Sequence, residues 1–236
     1  MDEEGAQRMI HDVIAWFRDS DHWHGANGVP ALLWQHTLLT LVSMLIATAV
    51  GLPLAVWLGH RGRGGTFAVN LTNVGRAVPI VALLSLLALG VFGTSDFGPF
   101  GRSGLATLVT LALFALPPIV TNAYTGMSEV DRDVVEAARG MGMGELDLLR
   151  RVELPLAVPL IMSGLRLAVV QVWATATIAA LVAGPGLGRI IVHGYESFQT
   201  AEVVAGSLIV AVVALALELA MAGLQKWVDP VAGVNG

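Results

Sequence analysis

The sequence predicts an all-α membrane protein with about five transmembrane helices. Of its 236 residues, 55% are hydrophobic and 13% are charged, and the mean hydropathy is +0.72. A soluble domain carries about 25% charged residues. Apolar stretches of about twenty residues recur along the chain, and a helix of that length crosses a hydrocarbon core of about 30 Å. Because hydrocarbon offers no hydrogen bonds to an open backbone, these spans must be helical.

The predicted spans occupy most of the chain between residues 33 and 228, which we define as the transmembrane domain. The second is the shortest, and its start can lie nearer Val74. In order, the spans are Leu33–Leu58, Ala77–Phe92, Leu105–Tyr124, Val158–Val182 and Val203–Leu224.

The first 32 residues form a separate N-terminal segment ahead of the first span. Its beginning, MDEEGAQRMI, is acidic and lacks the basic region of a secretory signal peptide, so we expect no cleavage. Apolar residues recur at helical spacing from Met9 to Phe17, which fits either a helix lying on the outer leaflet or a frayed tail.

The distribution of Lys and Arg predicts the orientation of the chain, since cytoplasmic loops are enriched in both. An extracytoplasmic N-terminus and a cytoplasmic C-terminal tail, 229–236, give the larger cytoplasmic count and put residues 129–155 in the cytoplasm. The cytoplasmic set is then Arg61, Arg63, Arg76, Arg132, Arg139, Arg150, Arg151 and Lys226, against Arg8, Arg18, Arg102 and Arg189 outside. We therefore expect a multi-pass protein of the cytoplasmic membrane.

Residues 129–155 form a charged loop between the third and fourth spans, and their pattern predicts two short helices around a tight turn. Asp131 or Asp133 can cap the first helix. A second helix is expected from Glu145 to Leu154-Pro155, where proline should end it by removing a donor and clashing with the preceding turn. The turn between them contains three glycines that permit a sharp reversal, namely Gly140, Gly142 and Gly144.

This loop resembles the cytoplasmic loop of permease subunits from ATP-binding-cassette (ABC) importers. That loop has the form EAA, any three residues, Gly, any nine residues, an aliphatic residue, any residue, Leu-Pro. The matching positions are Glu136, Ala137, Ala138, Gly142, Val152, Leu154 and Pro155, with Arg139 and Gly140 inside the motif. The resemblance implies the type I (MetI-like) importer permease fold and a loop that enters a cleft of the ATPase. There Glu136 would make a polar contact, Ala137 and Ala138 would keep the helix slim, and Gly142 would permit the turn.

Three further segments resemble permeases of the glycine betaine, carnitine and choline group. They are Asn122–Gly126, the Ala-Thr-Ala-Thr run Ala174–Thr177, and the turn Gly184–Gly188. The resemblance implies transport of an osmoprotectant such as glycine betaine, choline, carnitine or proline. Pro185 departs from the glycine-rich turn of that group, so we expect a differently shaped outer gate. The alternatives are a permease for another small solute, an amino acid or a sulfonate, and a membrane scaffold without transport activity.

The sequence predicts a transport subunit rather than an enzyme. It contains no G-x-x-x-x-G-K-[ST] motif to hold phosphates, so ATP and Mg are expected on a partner ATPase dimer. An intramembrane enzyme would need clustered His, Asp or Ser within the spans, which this sequence lacks. The expected partners are that ATPase, a second permease subunit (identical or homologous), an extracytoplasmic solute-binding protein and membrane lipid, with no nucleic acid. No cofactor or metal is expected on this chain, which has no Cys.

Polar residues within the spans are the remaining candidate sites. Arg166 and Glu218 lie on the fourth and fifth spans and can form an intramembrane ion pair. Alternatively, Arg166 extends to the cytoplasmic surface, or both residues line an inner gate. A second group lines a solute pathway or gate or bonds between helices, and consists of Gln171, Trp173, Thr175, Thr177, Gly184 and Gly186.

Overall fold

The computed structural model describes residues 3–62, 78–90, 92–93, 98–101 and 103–228, together with residues 69, 70 and 74. Every regular element in these ranges is helical, which confirms the predicted all-α fold. The elements are α1 (Glu3–Arg18), a 3₁₀ turn (Ser20–Trp23), α2 (Val29–Arg61), α3 (Ile80–Leu89), a 3₁₀ turn (Gly98–Phe100), α4 (Gly104–Ser128), α5 (Arg132–Gly140), α6 (Glu145–Leu148), a π-helical segment (Leu149–Glu153), α7 (Leu154–Ala176), a 3₁₀ segment (Thr177–Val182), α8 (Gly188–Glu196) and α9 (Thr200–Val228).

Four helical stretches in the described part of the chain are long and apolar enough to cross a membrane: Val29–Arg61, Gly104–Ser128, Glu145–Val182 and Thr200–Val228. They contain four of the five predicted spans. The remaining prediction, Ala77–Phe92, corresponds to the shorter helix α3, whose 10 residues extend about 15 Å. Pro79 precedes its first turn and Gly90 ends it, while Ala77 lies outside the described residues. Arg63, Arg76, Arg102 and the tail 229–236 also lie outside them.

The prediction that Leu154-Pro155 ends the second loop helix is wrong. The helix continues from α6 through the π-helical segment into α7, and the Leu154 N–H bonds to the Leu149 carbonyl five residues earlier. A proline in an α-helix clashes with the carbonyl four residues before it, and a π-helical turn is wider than an α-helical turn. The widened turn directly before Pro155 therefore lets the chain pass from the loop into the span without a break.

The chain divides into two compact units, each made of three segments. The first comprises Met1–Ser43, Pro79–Leu111 and Val172–Ala216, and its buried side chains include Leu39, Leu111, Trp173 and Leu187. The second comprises Met44–Val78, Ala112–Gln171 and Leu217–Gly236. The core of the second unit consists of Ala55, Val120, Ala123, Met127, Ala157 and Ile161.

Small residues set the distance between helices in the second unit. A Cβ atom added to Gly59 of α2 would lie 2.3 Å from the Met127 Cβ of α4. Without a hydrophobic driving force between helices in lipid, close packing of this kind stabilises the association of membrane helices. The contact between the end of α2 and the end of α4 therefore depends on glycine at position 59.

We predict that Gly59→Ala lowers the free energy of unfolding by about 1–3 kcal/mol, because the added methyl group overpacks the contact with Met127. The measurement is thermal unfolding of the purified protein in detergent. Gly223→Ala in α9 is the matched control, since its new Cβ would meet no atom within 4 Å. Equal melting temperatures for the two variants would contradict the proposed close contact.

Candidate functional site

The first arm of the 129–155 loop is a capped helix that ends in a glycine turn. The Asp131 Oδ1 atom accepts the N–H of Asp133 at 2.8 Å and so caps α5, as one of the two predicted caps requires. After α5, the Met143 N–H bonds to the Ala138 carbonyl at 3.2 Å across the turn. Gly142 has a φ of +86°, and this left-handed conformation favours glycine. Within the loop, which is fully described, Gly140 and Gly144 do not share that conformation.

The α5 helix presents two different faces. Glu136 and Ala137 are exposed, whereas Ala138 is 3% exposed and packs into the interior of the chain itself. Ala137 is thus placed as the resemblance implies for a partner-facing residue, and Ala138 is not. Beyond the helix, Met141 and Leu146 are 74% and 59% exposed and give the loop an apolar outer surface.

The two arms of the loop are joined by an ion pair across the turn. Arg139 donates from Nε and Nη2 to the two carboxylate oxygens of Glu145, each at 3.1 Å. This hydrogen bond and charge pairing raise the pKa of Arg139 above its ordinary value. Exposed pairs contribute little to stability, but a bidentate geometry fixes orientation. The pair therefore sets the angle between α5 and α6.

His60, in the last turn of α2, contacts the second arm of the loop. Its Nδ1 lies 2.5 Å from the Glu153 Oε2, and its Nε2 lies 3.4 Å from the Glu145 Oε2. Sequence analysis missed both His60 and Glu153 as site residues. The sequence offered one signal, because Glu153 lies two residues before Pro155 at the start of an apolar run. A carboxylate that becomes buried there requires a partner.

A cavity of about 430 Å³ in the second unit is lined by some of the charged residues of the loop and by the end of α2. Its wall includes Glu136 and Arg139 of α5, together with His60 and Glu153. The motif residue Glu136 therefore lines the same cavity as His60 and Glu153, which hold the loop against α2.

His36 of α2 contacts the junction at which α7 ends and the 3₁₀ segment begins. The side chain is fully buried, and its Nε2 lies 3.0 Å from the Trp173 carbonyl. Its Nδ1 accepts the Leu187 N–H at 3.2 Å, so the neutral ring must donate from Nε2. A Cβ on Gly186, which has a φ of +107°, would lie 2.8 Å from that Nδ1. Sequence analysis did not identify His36 or this link to the Gly184–Gly188 turn.

The candidate pathway residues bond mainly to helix backbone. Gln171 donates to the Phe114 carbonyl at 3.5 Å, and Trp173 Nε1 donates to the Val210 carbonyl at 3.1 Å. Thr177 donates to the Ala174 carbonyl at 2.6 Å, and Thr175 is half-buried. In the turn, the Gly184 N–H bonds to the Ala179 carbonyl at 2.8 Å. Gln171 and Trp173 therefore bond between helices, as the second alternative predicts, whereas Thr177 and Gly184 bond to nearby residues of their own segment.

The structure brings Arg166 and Glu218 together. Arg166 Nε donates to the Glu218 Oε1 at 2.8 Å, and its Nη2 contacts the same oxygen. Gln225 extends the group, because it accepts from Arg166 Nη1 at 3.4 Å and donates to the Pro159 carbonyl at 3.3 Å. Arg166 and Glu218 are therefore placed as the ion-pair alternative predicts.

The sequence and fold identify the family. Residues 47–232 match the model of the binding-protein-dependent transport system inner membrane component, and the chain belongs to this family of membrane transport subunits. It is 32% identical over 204 residues to the glycine betaine/carnitine/choline transport system permease protein OpuCD of Bacillus subtilis, covering 86% of this chain and 85% of that protein. Over 99 residues, 42% of this chain and 18% of the relative, it is 44% identical to the ergothioneine transport permease/ergothioneine binding protein EgtU of Helicobacter pylori.

The fold is shared with solved ABC importer structures. A chain of the MetNI methionine ABC transporter, in an inward-facing conformation, superposes with a TM-score of 0.70 at 22% identity. The match covers 83% of this chain and 93% of the solved chain. The predicted type I importer permease fold is confirmed.

We predict that Gly142→Ala loosens the loop turn, because a side chain in the left-handed conformation costs about 1–2 kcal/mol. Amide hydrogen exchange at residues 138–143 should be faster in this variant than in the wild type. Gly140→Ala adds the same methyl group two residues away, into open space and without a positive φ. Equal exchange rates in the two variants would contradict the role of Gly142.

Proposed function

We propose that this chain is the translocation subunit of an ATP-driven importer for an osmoprotectant such as glycine betaine, choline, carnitine or proline. The 129–155 loop carries the proposal, since it forms two rigid arms around Gly142 with an exposed apolar and acidic surface. The substrate class is supported by the OpuCD relative, whose name gives glycine betaine, carnitine and choline.

The proposed partners follow from what this chain lacks. A cytoplasmic ATPase dimer binds ATP and Mg, a second permease subunit completes the pathway, and an extracytoplasmic binding protein delivers the solute. Quaternary ammonium groups are attracted to aromatic faces, and this chain has few aromatic residues, so primary recognition is assigned to the binding protein. The Lys and Arg distribution supports an extracytoplasmic N-terminus and a cytoplasmic C-terminus.

The loop then transmits movement from the ATPase to the transmembrane helices. ATP binding closes the ATPase dimer, and the docked surface around Glu136, Met141 and Leu146 moves with it. Because α6 continues into α7 without a break, movement of the second arm is transmitted along the helix toward Val182. The pathway opens outward to accept the solute, and hydrolysis resets it inward.

A second candidate substrate is ergothioneine. The observation in its favour is the 44% identity to EgtU, although it extends over less than half of this chain. Ergothioneine carries a trimethylammonium group, as glycine betaine, choline and carnitine do, so one pathway could accept all four.

The substrate test is uptake of labelled glycine betaine at high osmolarity, in cells that lack this chain and in cells that have it restored. Unlabelled choline, carnitine, proline and ergothioneine serve as competitors. Restored uptake, inhibited by the first three, supports the osmoprotectant assignment. An assembled complex that imports ergothioneine and no glycine betaine would replace that assignment with the second candidate.

We predict that Glu136→Arg abolishes ATPase association and uptake while membrane insertion stays normal, because a reversed charge in a closely fitting cleft is costly. The measurements are co-purification of the ATPase and solute uptake. Glu129→Arg is the matched control, with the same charge change at another exposed position of the loop. Retained uptake in Glu136→Arg, or an equal loss in both variants, would contradict the docking role.

A further inference from the structure

Glu153 is an acidic residue buried at the foot of the loop, with 6% exposure in the π-helical segment. Its carboxylate can only accept hydrogen bonds, and His60 Nδ1 lies 2.5 Å from it. The His60 side chain is itself 15% exposed. Removing one partner from a buried charged contact leaves the other uncompensated, which costs far more than removing an exposed pair.

The contact joins elements that are far apart in sequence. His60 lies at the end of α2, and Glu153 lies in the π-helical segment between α6 and α7. Single π-helical turns within α-helices are often found at functional sites. Through His60 Nε2 the link extends to Glu145, and through Glu145 to Arg139 on the first arm. The His60 ring therefore connects α2 directly to the second arm of the loop and, through Glu145, to the first.

We infer that the His60–Glu153 contact, which we call the clip, transmits movement of the loop to α2. His60 is a positioning residue, since it acts through Glu153 and Glu145 and does not contact the solute in this assignment. The clip stays closed while the loop moves, so that α2 and α7 respond together to ATP binding. This inference rests on the proposed function, because it requires an ATPase that moves the loop.

The test uses the complete transporter in proteoliposomes and measures uptake and ATP hydrolysis together. His60→Gln and Glu153→Gln should each lower the uptake per ATP hydrolysed by about tenfold. The double variant should be no worse than the more damaged single variant, because both substitutions break the same contact. A merely structural role would reduce the amount of complex and leave the uptake-to-hydrolysis ratio unchanged, and an unchanged ratio overturns the inference.

The matched control is another His–Glu contact. His193 Nδ1 lies 2.9 Å from the Oε1 of Glu202, which is 7% exposed, and both residues belong to the first unit. His193→Gln should keep the uptake-to-hydrolysis ratio within about twofold of the wild type. An equal fall in the uptake-to-hydrolysis ratio of His193→Gln and His60→Gln would overturn a specific role for the His60 contact.

A second measurement replaces the clip with a covalent one. The chain has no Cys, so the variant with both His60→Cys and Glu153→Cys can be joined by a short bis-methanethiosulfonate linker, which forms a disulfide with each thiol, releases methanesulfinate and is cleaved by reduction. The unlinked variant should be uncoupled, linking should restore the uptake-to-hydrolysis ratio, and reduction should remove the gain. Each single Cys variant should be unaffected by the linker. Failure to link, or linking without restored coupling, overturns the inference.

These outcomes separate the inference from the proposed function. A wild-type complex without ATP-driven uptake would overturn both. ATP-driven uptake in the wild type, with an unchanged ratio in His60→Gln and Glu153→Gln, would overturn the clip alone.

Discussion

Hydrocarbon provides no hydrogen bonds to backbone groups, and at two irregular points in the long helices of this chain a side chain from another helix supplies one. Pro118 has no N–H to offer the Phe114 carbonyl, and Gln171 donates to that carbonyl instead. The Trp173 carbonyl lies at the end of α7, where helical partners run out, and it accepts from His36. Gln225 donates to the Pro159 carbonyl and so adds a bond between α9 and α7. Polar residues in the spans therefore hold the helices in register.

The Gly184–Gly188 turn and the 129–155 loop obey this constraint differently. The Gly184–Gly188 turn is buried, and His36 satisfies a donor beside it and an acceptor at the helix end. The 129–155 loop is largely exposed, so its turn is stabilised locally, by the Gly142 conformation and the Arg139–Glu145 pair. Under the proposed function a partner moves this loop, and short-range constraints of this kind would keep the shape of the turn during that movement.

Much of this architecture is predictable from sequence because its signals are local. The length of the apolar stretches predicts the spans. The Asp131 cap and the glycine turn each depend on residues that are close together in the sequence. The passage through Pro155 was not predicted, because proline rules describe α-helical turns and the chain uses a π-helical one. His60 and His36 were missed because their partners lie 93 and 137 residues away, and a single sequence does not show which distant residues pair.

The central claim of this account is that the 129–155 loop is the surface that meets the ATPase. The most direct measurement is cysteine cross-linking in membranes containing the whole transporter, since the chain has no Cys of its own. Met141→Cys, at the most exposed apolar position of the loop, should cross-link to the ATPase, and the more exposed Phe198→Cys, between α8 and α9, should not. Cross-linking through Phe198→Cys, or none through Met141→Cys in an assembled complex, would contradict the claim.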